Sequence, residues 1–259
     1  MKQSIKNFKK YTFLLEQLVK KEIKLKYRNS FLGVFWTLLE PFLTMLVLAV
    51  VFGTLFHKKM EYIPVYILSA RLLYTFYANS TKAATKSIRR NAAMIKKVYV
   101  PKYIYPLASI LANYIMFLIS LVVLVLAMIF CRVPVSIHMF AAIIPLALIL
   151  VMALGSGMIL AALAVFFRDL EYLWGVFLML VMYTCAIFYP AENILNSASP
   201  WILKINPLYA VIACFRNAIY YNKPIDPFYL GYATIFSFGT LIIGLWIFYK
   251  NQDKFILNI

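Results

Sequence analysis

Long hydrophobic stretches constrain this chain more than any other feature of its sequence. A helix needs roughly 17–25 apolar residues to cross about 30 Å of hydrocarbon. Stretches of about that length lie near residues 35–56, 63–83, 107–130, 139–166, 173–188 and 228–248. A chain of 259 residues with 64% hydrophobic and 14% charged residues cannot close into a water-soluble globule. The sequence therefore predicts an all-α integral membrane protein with six transmembrane helices.

Basic residues predict the orientation of these spans. Short loops rich in lysine and arginine face the cytoplasm, and acidic residues contribute little to the rule. With both termini in the cytoplasm, most of the 26 basic residues are inside. Arg71 lies within a span, and the outer side holds Lys58, Lys59, Arg132, Lys204, Arg216 and Lys223. We therefore attribute the net charge of +17 to topology and attraction to anionic lipid, not to nucleic-acid binding.

Residues 1–30 predict a cytoplasmic amphipathic helix at the membrane interface, ahead of a transmembrane domain at 31–259. At 100° per residue one arc is apolar and the opposite arc carries lysines. The apolar arc comprises Phe8, Tyr11, Leu14, Leu15, Leu18, Val19 and Ile23, and only Phe13 and Lys26 break the pattern. Such a helix is either a plain interfacial anchor or an anchor that also contacts a partner.

A second basic segment, residues 84–102, contains no acidic residue but has apolar side chains among its charges. This pattern predicts a short amphipathic helix between the second and third spans, ended by Pro101 and Pro106. A solvated loop needs no apolar face, so we favour docking of a protein here over a plain loop.

The connection at 190–227 is not an ordinary hydrophilic loop. Two short apolar-faced segments flank Asn206 and Pro207. We expect them to form short outer helices that dip into the membrane and cap an exit; the alternative is a loop that lies on the surface.

Five motifs give the chain a resemblance to a known family along nearly its whole length. They are KYRNSFLG at 26–33, NAAMIKKVYVP at 91–101, FFRDL at 166–170, FYP at 188–190 and NPLY at 206–209. Together with Trp36 and the Leu39–Glu40–Pro41 entry to the first span, these motifs resemble the membrane subunits of polysaccharide-exporting ABC transporters. That family includes the exporters of O-antigen and teichoic acid.

The resemblance implies a half-channel: two copies pair, and two separate ABC ATPase subunits dock beneath them. ATP and Mg would then be bound by the partner, and this chain would be a transport subunit without a cofactor of its own. The sequence agrees, because none of its eight glycines precedes a lysine and the phosphate-cradling GxxxxGK loop is absent. The residues expected to couple to the ATPase are Arg89, Arg90, Asn91, Met94, Ile95, Lys96, Lys97, Arg168 and Asp169.

Aromatic residues make up 17% of the chain, and flat rings with phenolic hydroxyls suit a sugar polymer that must slide through a pore. The candidates for a pore lining are Phe35, Trp36, Arg71, Tyr74, Tyr77, Tyr183, Phe188 and Tyr189. Those for the outer gate are Trp201, Pro207, Tyr209 and Phe215. An interfacial aromatic belt is the alternative for several of them. Arg71 either meets a charged lipid-diphosphate substrate in a wet pore, or pairs or snorkels structurally.

These observations favour a permease subunit that exports a lipid-linked polysaccharide across the bacterial cytoplasmic membrane. The alternatives are an ABC-2 drug or peptide exporter and an ATP-independent lipid-linked sugar flippase. No catalytic constellation accompanies His57 and His138. The three cysteines, Cys131, Cys185 and Cys214, lack metal-ligand spacing and are expected to be apolar fillers.

Overall fold

The computed structural model describes residues 2–28, 30–56, 62–98 and 100–258. The predicted outer residues His57, Lys58 and Lys59, and the motif residues Asn29 and Tyr99, lie outside these ranges. Within the described residues every regular element is a helix and no strand occurs. The predicted all-α fold class is confirmed.

The described chain begins with a long helix and continues as a bundle. The α-helices are α1 (Lys2–Lys26), α2 (Trp36–Phe56), α3 (Ile63–Arg90), α4 (Ala92–Lys97), α5 (Ile104–Phe130), α6 (Ile143–Phe166), α7 (Leu170–Tyr183), α8 (Ala191–Leu195), α9 (Trp201–Lys204), α10 (Pro207–Ile219), α11 (Pro227–Asn251) and α12 (Phe255–Asn258). Short 3-10 helices lie at Gly33–Phe35, Ile137–Ala142 and Gln252–Lys254.

Length and composition allow four helical stretches of the described residues to cross a membrane. They are Gly33–Phe52, Ile104–Phe130, Ile137–Phe166 and Pro227–Lys254. Two shorter apolar helices, α7 and α10, accompany them. The predicted second span, α3, is more polar, but it packs against α2, α5, α6, α7 and α10 and shows little of its surface. Protein therefore surrounds most of α3, which lies near the centre of the bundle. The four long apolar helices are those of an integral membrane protein.

The closest helix packing joins α6 to α11 through two glycines. A Cβ atom added to Gly155 would lie 2.5 Å from the backbone nitrogen of Leu241. A Cβ atom added to Gly244 would lie 2.4 Å from the carbonyl oxygen of Gly155. Glycine at both positions lets the two backbones touch. In a membrane the hydrophobic effect does not drive helices together, so close van der Waals packing of this kind stabilises their association.

Both termini pack at the same end of the bundle, which we call the terminal end. Leu18 and Val19 of α1 are buried there in a cluster that also contains Ile88, Tyr105 and Phe255. Phe13 is 72% exposed, as its break in the apolar arc predicts. The outer helices α8, α9 and α10 lie at the opposite end.

Two predicted elements differ from the structure. The 84–102 segment is not a separate helix: α3 continues to Arg90, and only the six residues of α4 follow the break at Asn91. The amide of Asn91 bonds back to the carbonyl oxygen of Ser87 at 2.8 Å, which caps α3 instead of extending it. The fifth span, predicted at 173–188, ends as α7 at Tyr183, because polar side chains from other elements bond the backbone that follows.

Candidate functional site

The terminal end presents a basic surface built on α1, α3 and α4. Glu22 of α1 pairs with Arg90 at 3.1 Å, and Lys21 donates to the side-chain oxygen of Asn91 at 3.4 Å. These contacts, together with the buried Leu18 and Val19, fasten α1 to the end of α3. Burial, followed by the nearby Tyr11 phenol, raises the pKa of Tyr103 beside this cluster, so its hydroxyl stays neutral at physiological pH. The predicted anchor is thus also part of the packed fold.

The structure divides the predicted coupling residues into two groups. Those exposed at the terminal end are Arg90, Lys96, Lys97, Arg168 and Asp169, and Arg89 and Met94 are partly exposed. Asn91 and Ile95 are buried, because Asn91 caps α3 and Ile95 packs in the terminal-end cluster. Exposed side chains can meet a docked protein directly, whereas these two can only support the shape of the surface. A coupling role remains a prediction for all nine.

An ion-pair cluster joins α3 to the start of α7. Glu171 contacts Arg89 and also lies 3.4 Å from Lys86. Glu171, in the first turn of α7, lies three residues after the exposed Arg168 and two after the exposed Asp169. A push on the turn between α6 and α7 can therefore reach α3 through charged side chains. Sequence reasoning gave Glu171 no role; the absence of acidic residues in 84–102 could have indicated that the cations of this segment need an acid from elsewhere.

A polar cleft lies between α2, α3 and α5. Glu40, Arg71, Asn79 and Asn113 all contribute to its lining. Among the described residues no ion pair joins Glu40 to Arg71, although both line this cleft. Arg71 instead donates to the sulfur of Met182 at 3.3 Å.

The tyrosines predicted to line the pore from α3 face the packed interior. Tyr74 is 9% exposed and donates to the carbonyl oxygen of Leu178 at 2.9 Å. Tyr77 donates to the hydroxyl of Ser156 at 3.0 Å and lies on the floor of an apolar cleft of about 730 Å³ beside Trp174. Their hydroxyls thus bond neighbouring helices. Their contact with a substrate remains a prediction.

The other aromatic candidates lie nearer the surface. Phe35, Trp36 and Tyr183 are exposed, at 55%, 39% and 58%. Phe188 and Tyr189 are partly exposed, and the Tyr189 hydroxyl donates to the carbonyl oxygen of Tyr183 at 2.6 Å. The structure therefore gathers the last three at the end of α7, while the first two lie at the start of α2.

The predicted outer gate forms helices, as expected, on both sides of Asn206. The Asn206 side chain accepts from the backbone of Leu208 and Tyr209, which caps α10, and its amide donates to the carbonyl oxygen of Thr184 at 3.2 Å. One asparagine thereby starts α10 and ties it to the end of α7. Pro207 occupies the first turn of α10, a position that requires no N–H donor.

The remaining gate candidates separate by exposure. Trp201 on α9 is 60% exposed, whereas Tyr209 and Phe215 on α10 are buried. The ring of Tyr209 packs edge-on against that of Tyr229 at 5.7 Å. Trp201 is therefore the gate candidate able to meet a substrate or partner at the surface of a single chain.

A buried arginine at the base of these helices was missed by sequence reasoning. Arg216, predicted to be an outer-loop residue, is 2% exposed. Its guanidinium donates to the carbonyl oxygens of Ala186 at 2.9 Å and Tyr66 at 3.0 Å, and lies 3.5 Å from the Tyr66 ring centre. The Tyr66 hydroxyl in turn bonds the backbone of Tyr189. Arg216 was detectable from its place on the apolar arc of α10, where a surface arginine would not be expected.

The described residues form no cluster of metal-ligand side chains. Across the described parts of the chain, no group of three His, Cys, Asp or Glu side chains could hold a metal ion. The three cysteines are free, and two of them are buried as the apolar-filler interpretation expects.

Comparison with known proteins connects these surfaces to a family. The family model described as ABC-2 type transporter matches residues 14–220. The O-antigen export system permease protein RfbA of Myxococcus xanthus is 28% identical over 222 residues, which cover 85% of each chain. RfbA of Klebsiella pneumoniae is 26% identical over 93% of each chain. The polysialic acid transport protein KpsM of Escherichia coli is 23% identical over 94% of this chain and 95% of its own. The match to the family model covers well over half of the chain, which therefore belongs to the ABC-2 type transporter family.

Proposed function

We propose that the chain is the channel-forming membrane subunit of an ATP-driven exporter of a cell-surface polysaccharide. The observation that carries this proposal is similarity along almost the whole chain to two kinds of relative, one named for O-antigen export and one for polysialic acid transport. A polymer of sugars is the cargo that both names share. We further propose that the polymer is linked to a lipid, as in O-antigen or teichoic-acid export, and crosses the cytoplasmic membrane.

The terminal end is proposed to face the cytoplasm and receive two ABC ATPase subunits. Its exposed cations give it the charge that the positive-inside rule expects of the cytoplasmic side. It also exposes Arg90, Lys96 and Lys97, and, in the turn between α6 and α7, Arg168 and Asp169. ATP and Mg would bind the partner, because this chain has no phosphate-cradling loop.

Transmission from the ATPase would run through the junction of α3 and α7. Closure of the ATPase pair would displace α4 and the turn at Arg168 together, since Glu171 links α7 to Arg89 and Lys86 of α3. A rigid-body tilt of α3 and α7 would then alter the path between the helices. This is transport work, and the chain needs no catalytic residue for it.

A second copy of the chain is proposed to complete the channel. The polar cleft with Glu40 and Arg71 opens at the surface of a single chain, and charged groups within a membrane face protein or water. Pairing of two copies would enclose such clefts and keep them away from lipid.

The proposal is tested by deleting the gene and restoring it on a plasmid. We expect surface polysaccharide to disappear on deletion and to return with the plasmid, and we expect the chain to co-purify with an ABC ATPase. Replacing that ATPase with a hydrolysis-defective variant should trap polymer in the cell. Normal export with the defective ATPase would favour an ATP-independent flippase, and lost drug resistance with intact surface polymer would favour a drug exporter.

A further inference from the structure

One face of α3 is polar along the second half of the helix. Between Arg71 and Arg90, all side chains of α3 that are not buried are polar or charged, apart from Ala83. Most of them recur at intervals of three or four residues and lie within about 80° around the helix axis. We call this set the α3 stripe: Arg71, Thr75, Asn79, Lys82, Lys86 and Arg89. At 1.5 Å per residue it is about 27 Å long, and it runs from within the predicted second span to the terminal end.

The α3 stripe is bordered by two open recesses along its length. On one side it borders the polar cleft, where α2 contributes Glu40 and Thr44. On the other side Lys82 and Lys86 line a recess with Tyr172 and Met179 of α7. A charged or amide side chain facing hydrocarbon costs several kcal/mol, so a polar stripe of this length requires water or a polar partner.

The charge along the α3 stripe is positive. Its cations are Arg71, Lys82, Lys86 and Arg89, and the acids that face it from neighbouring helices are Glu40 of α2 and Glu171 of α7. Glu171 is engaged by two of the cations, Arg89 and Lys86. Lys82 is exposed and forms no ion pair within the described residues.

Uncharged polar side chains separate Arg71 from Lys82. Thr75 is partly exposed, and Asn79, near the middle of α3, is exposed. A hydroxyl and an amide can exchange hydrogen bonds with sugar hydroxyls. The α3 stripe thus combines groups for a polyhydroxylated chain with more positive charge than its neighbours neutralise.

We infer that the α3 stripe is one wall of a water-filled path and that the polymer carried along it is acidic, with carboxylate, phosphate or sulfate groups. This inference rests on the proposed function and adds the chemical class of the cargo. Lysine and arginine side chains that line a pore favour the passage of anions. A cleft lined by charges of one sign raises the local concentration of oppositely charged substrate by about tenfold or more. A neutral glycan would need only the hydroxyl and amide groups.

The charge of the exported polymer tests the inference separately from the proposed function. Surface glycans from cells with and without the gene are compared by anion-exchange chromatography at neutral pH. We expect the glycan that is lost on deletion to be retained on the column and released by salt. Loss of an unretained, neutral glycan would overturn the acidic-polymer inference while leaving export intact. Loss of no glycan would contradict the proposed function itself.

Charge reversal tests the α3 stripe directly. Lys82→Glu should lower polymer export about tenfold or more, and Lys82→Arg should retain it. Lys223→Glu is the matched control, because Lys223 is also exposed but lies after α10, far from the α3 stripe. All variants are compared at equal amounts in the membrane. Equal export by the two glutamate variants would overturn the role of charge.

Water access gives a readout that does not depend on transport. Asn79→Cys is made in a chain whose three native cysteines are replaced, and is treated in membranes with thiol reagents of opposite charge. We expect reaction with both, and a rate for the anionic reagent that falls relative to the cationic one when Lys82→Gln is added. Absence of reaction with either reagent would show that the α3 stripe does not line a water-filled path.

Discussion

The contact between α6 and α11 can be tested by adding a single methyl group. Alanine at Gly244 would place its Cβ atom 2.4 Å from the carbonyl oxygen of Gly155 and 3.3 Å from the Cβ atom of Met158. The oxygen belongs to a helix backbone and cannot rotate away, so the helices must separate by roughly 1 Å to restore ordinary contact. Overpacking of this kind destabilises a protein by about 1–3 kcal/mol.

The matched control is Gly239→Ala on the same helix. A Cβ atom at Gly239 would meet nothing within 4 Å. Alanine there should leave the stability unchanged or raise it by up to about 1 kcal/mol, because glycine loses more conformational freedom than alanine in a helix. The two variants make the same chemical change and differ only in what the methyl group meets.

Thermal unfolding of the purified variants in detergent measures the effect, with loss of the monodisperse size-exclusion peak after heating as the readout. Gly244→Ala should lower Tm by about 2–4 °C for each kcal/mol lost, whereas Gly239→Ala should not lower it. Gly155→Ala should act like Gly244→Ala, and the double variant should lose less than the sum, because one separation of the helices accommodates both methyl groups. Equal stability of Gly244→Ala and Gly239→Ala would refute the backbone-contact argument.

Three further variants probe the other contacts. Arg216→Leu should destabilise the chain by about 3 kcal/mol or more, since two carbonyl oxygens lose a charged donor; thermal unfolding measures this loss. Glu171→Gln should lower the free energy of unfolding by about 1–3 kcal/mol, because the side chains of Glu171 and Arg89 are largely buried, and export per ATP hydrolysed should fall in reconstituted vesicles. Tyr77→Phe should lower the free energy of unfolding by about 0.6 kcal/mol through loss of its hydrogen bond to Ser156, again followed by thermal unfolding.

Each of these variants has a control or a contradicting result. Lys204→Leu removes an exposed cation near the same helices and should leave Tm unchanged. Glu192→Gln makes the Glu171 change at the opposite end of the bundle and should leave coupling unchanged. A wild-type Tm for Arg216→Leu would contradict its structural role, and wild-type export per ATP hydrolysed would contradict the coupling role of Glu171. For Tyr77→Phe, a fall in Tm several degrees larger than expected would show that its hydroxyl does more than bond Ser156.

The parts of the fold that follow from hydrophobic length were predicted well. The apolar stretches at 107–130 and 228–248 match α5 and α11 closely, because a backbone in lipid must satisfy its own hydrogen bonds and a long apolar stretch has no alternative to a helix. The end of α7 was predicted less well. The carbonyl oxygens of Thr184 and Ala186, just after α7, accept hydrogen bonds from the side chains of Asn206 and Arg216, which are distant in sequence. Sequence reasoning could not foresee these partners.

For the candidate site residues, sequence reasoning proposed residue types, and the structure shows which helix faces are covered. Tyr74 and Tyr77, both pore candidates, lie close together around α3, yet that arc packs on α6 and α7. The uncovered arc carries Asn79 and Lys82, which sequence reasoning did not place in a path. Helical periodicity defines which residues share a face, and only the neighbours of the helix determine which face is covered.

The sequence by itself determined the class of the protein, the approximate positions of its four long hydrophobic helices, the uneven distribution of basic charge and the family motifs. These are local properties, since lipid solubility and charge asymmetry are sums over short segments. Tertiary structure alone decided that α3 lies at the centre with one polar face uncovered, that Glu171 is the acid joining α3 to α7, and that Arg216 is buried at the base of the outer helices. These arrangements depend on contacts between residues up to 150 positions apart, and such contacts exist only once the helices have packed.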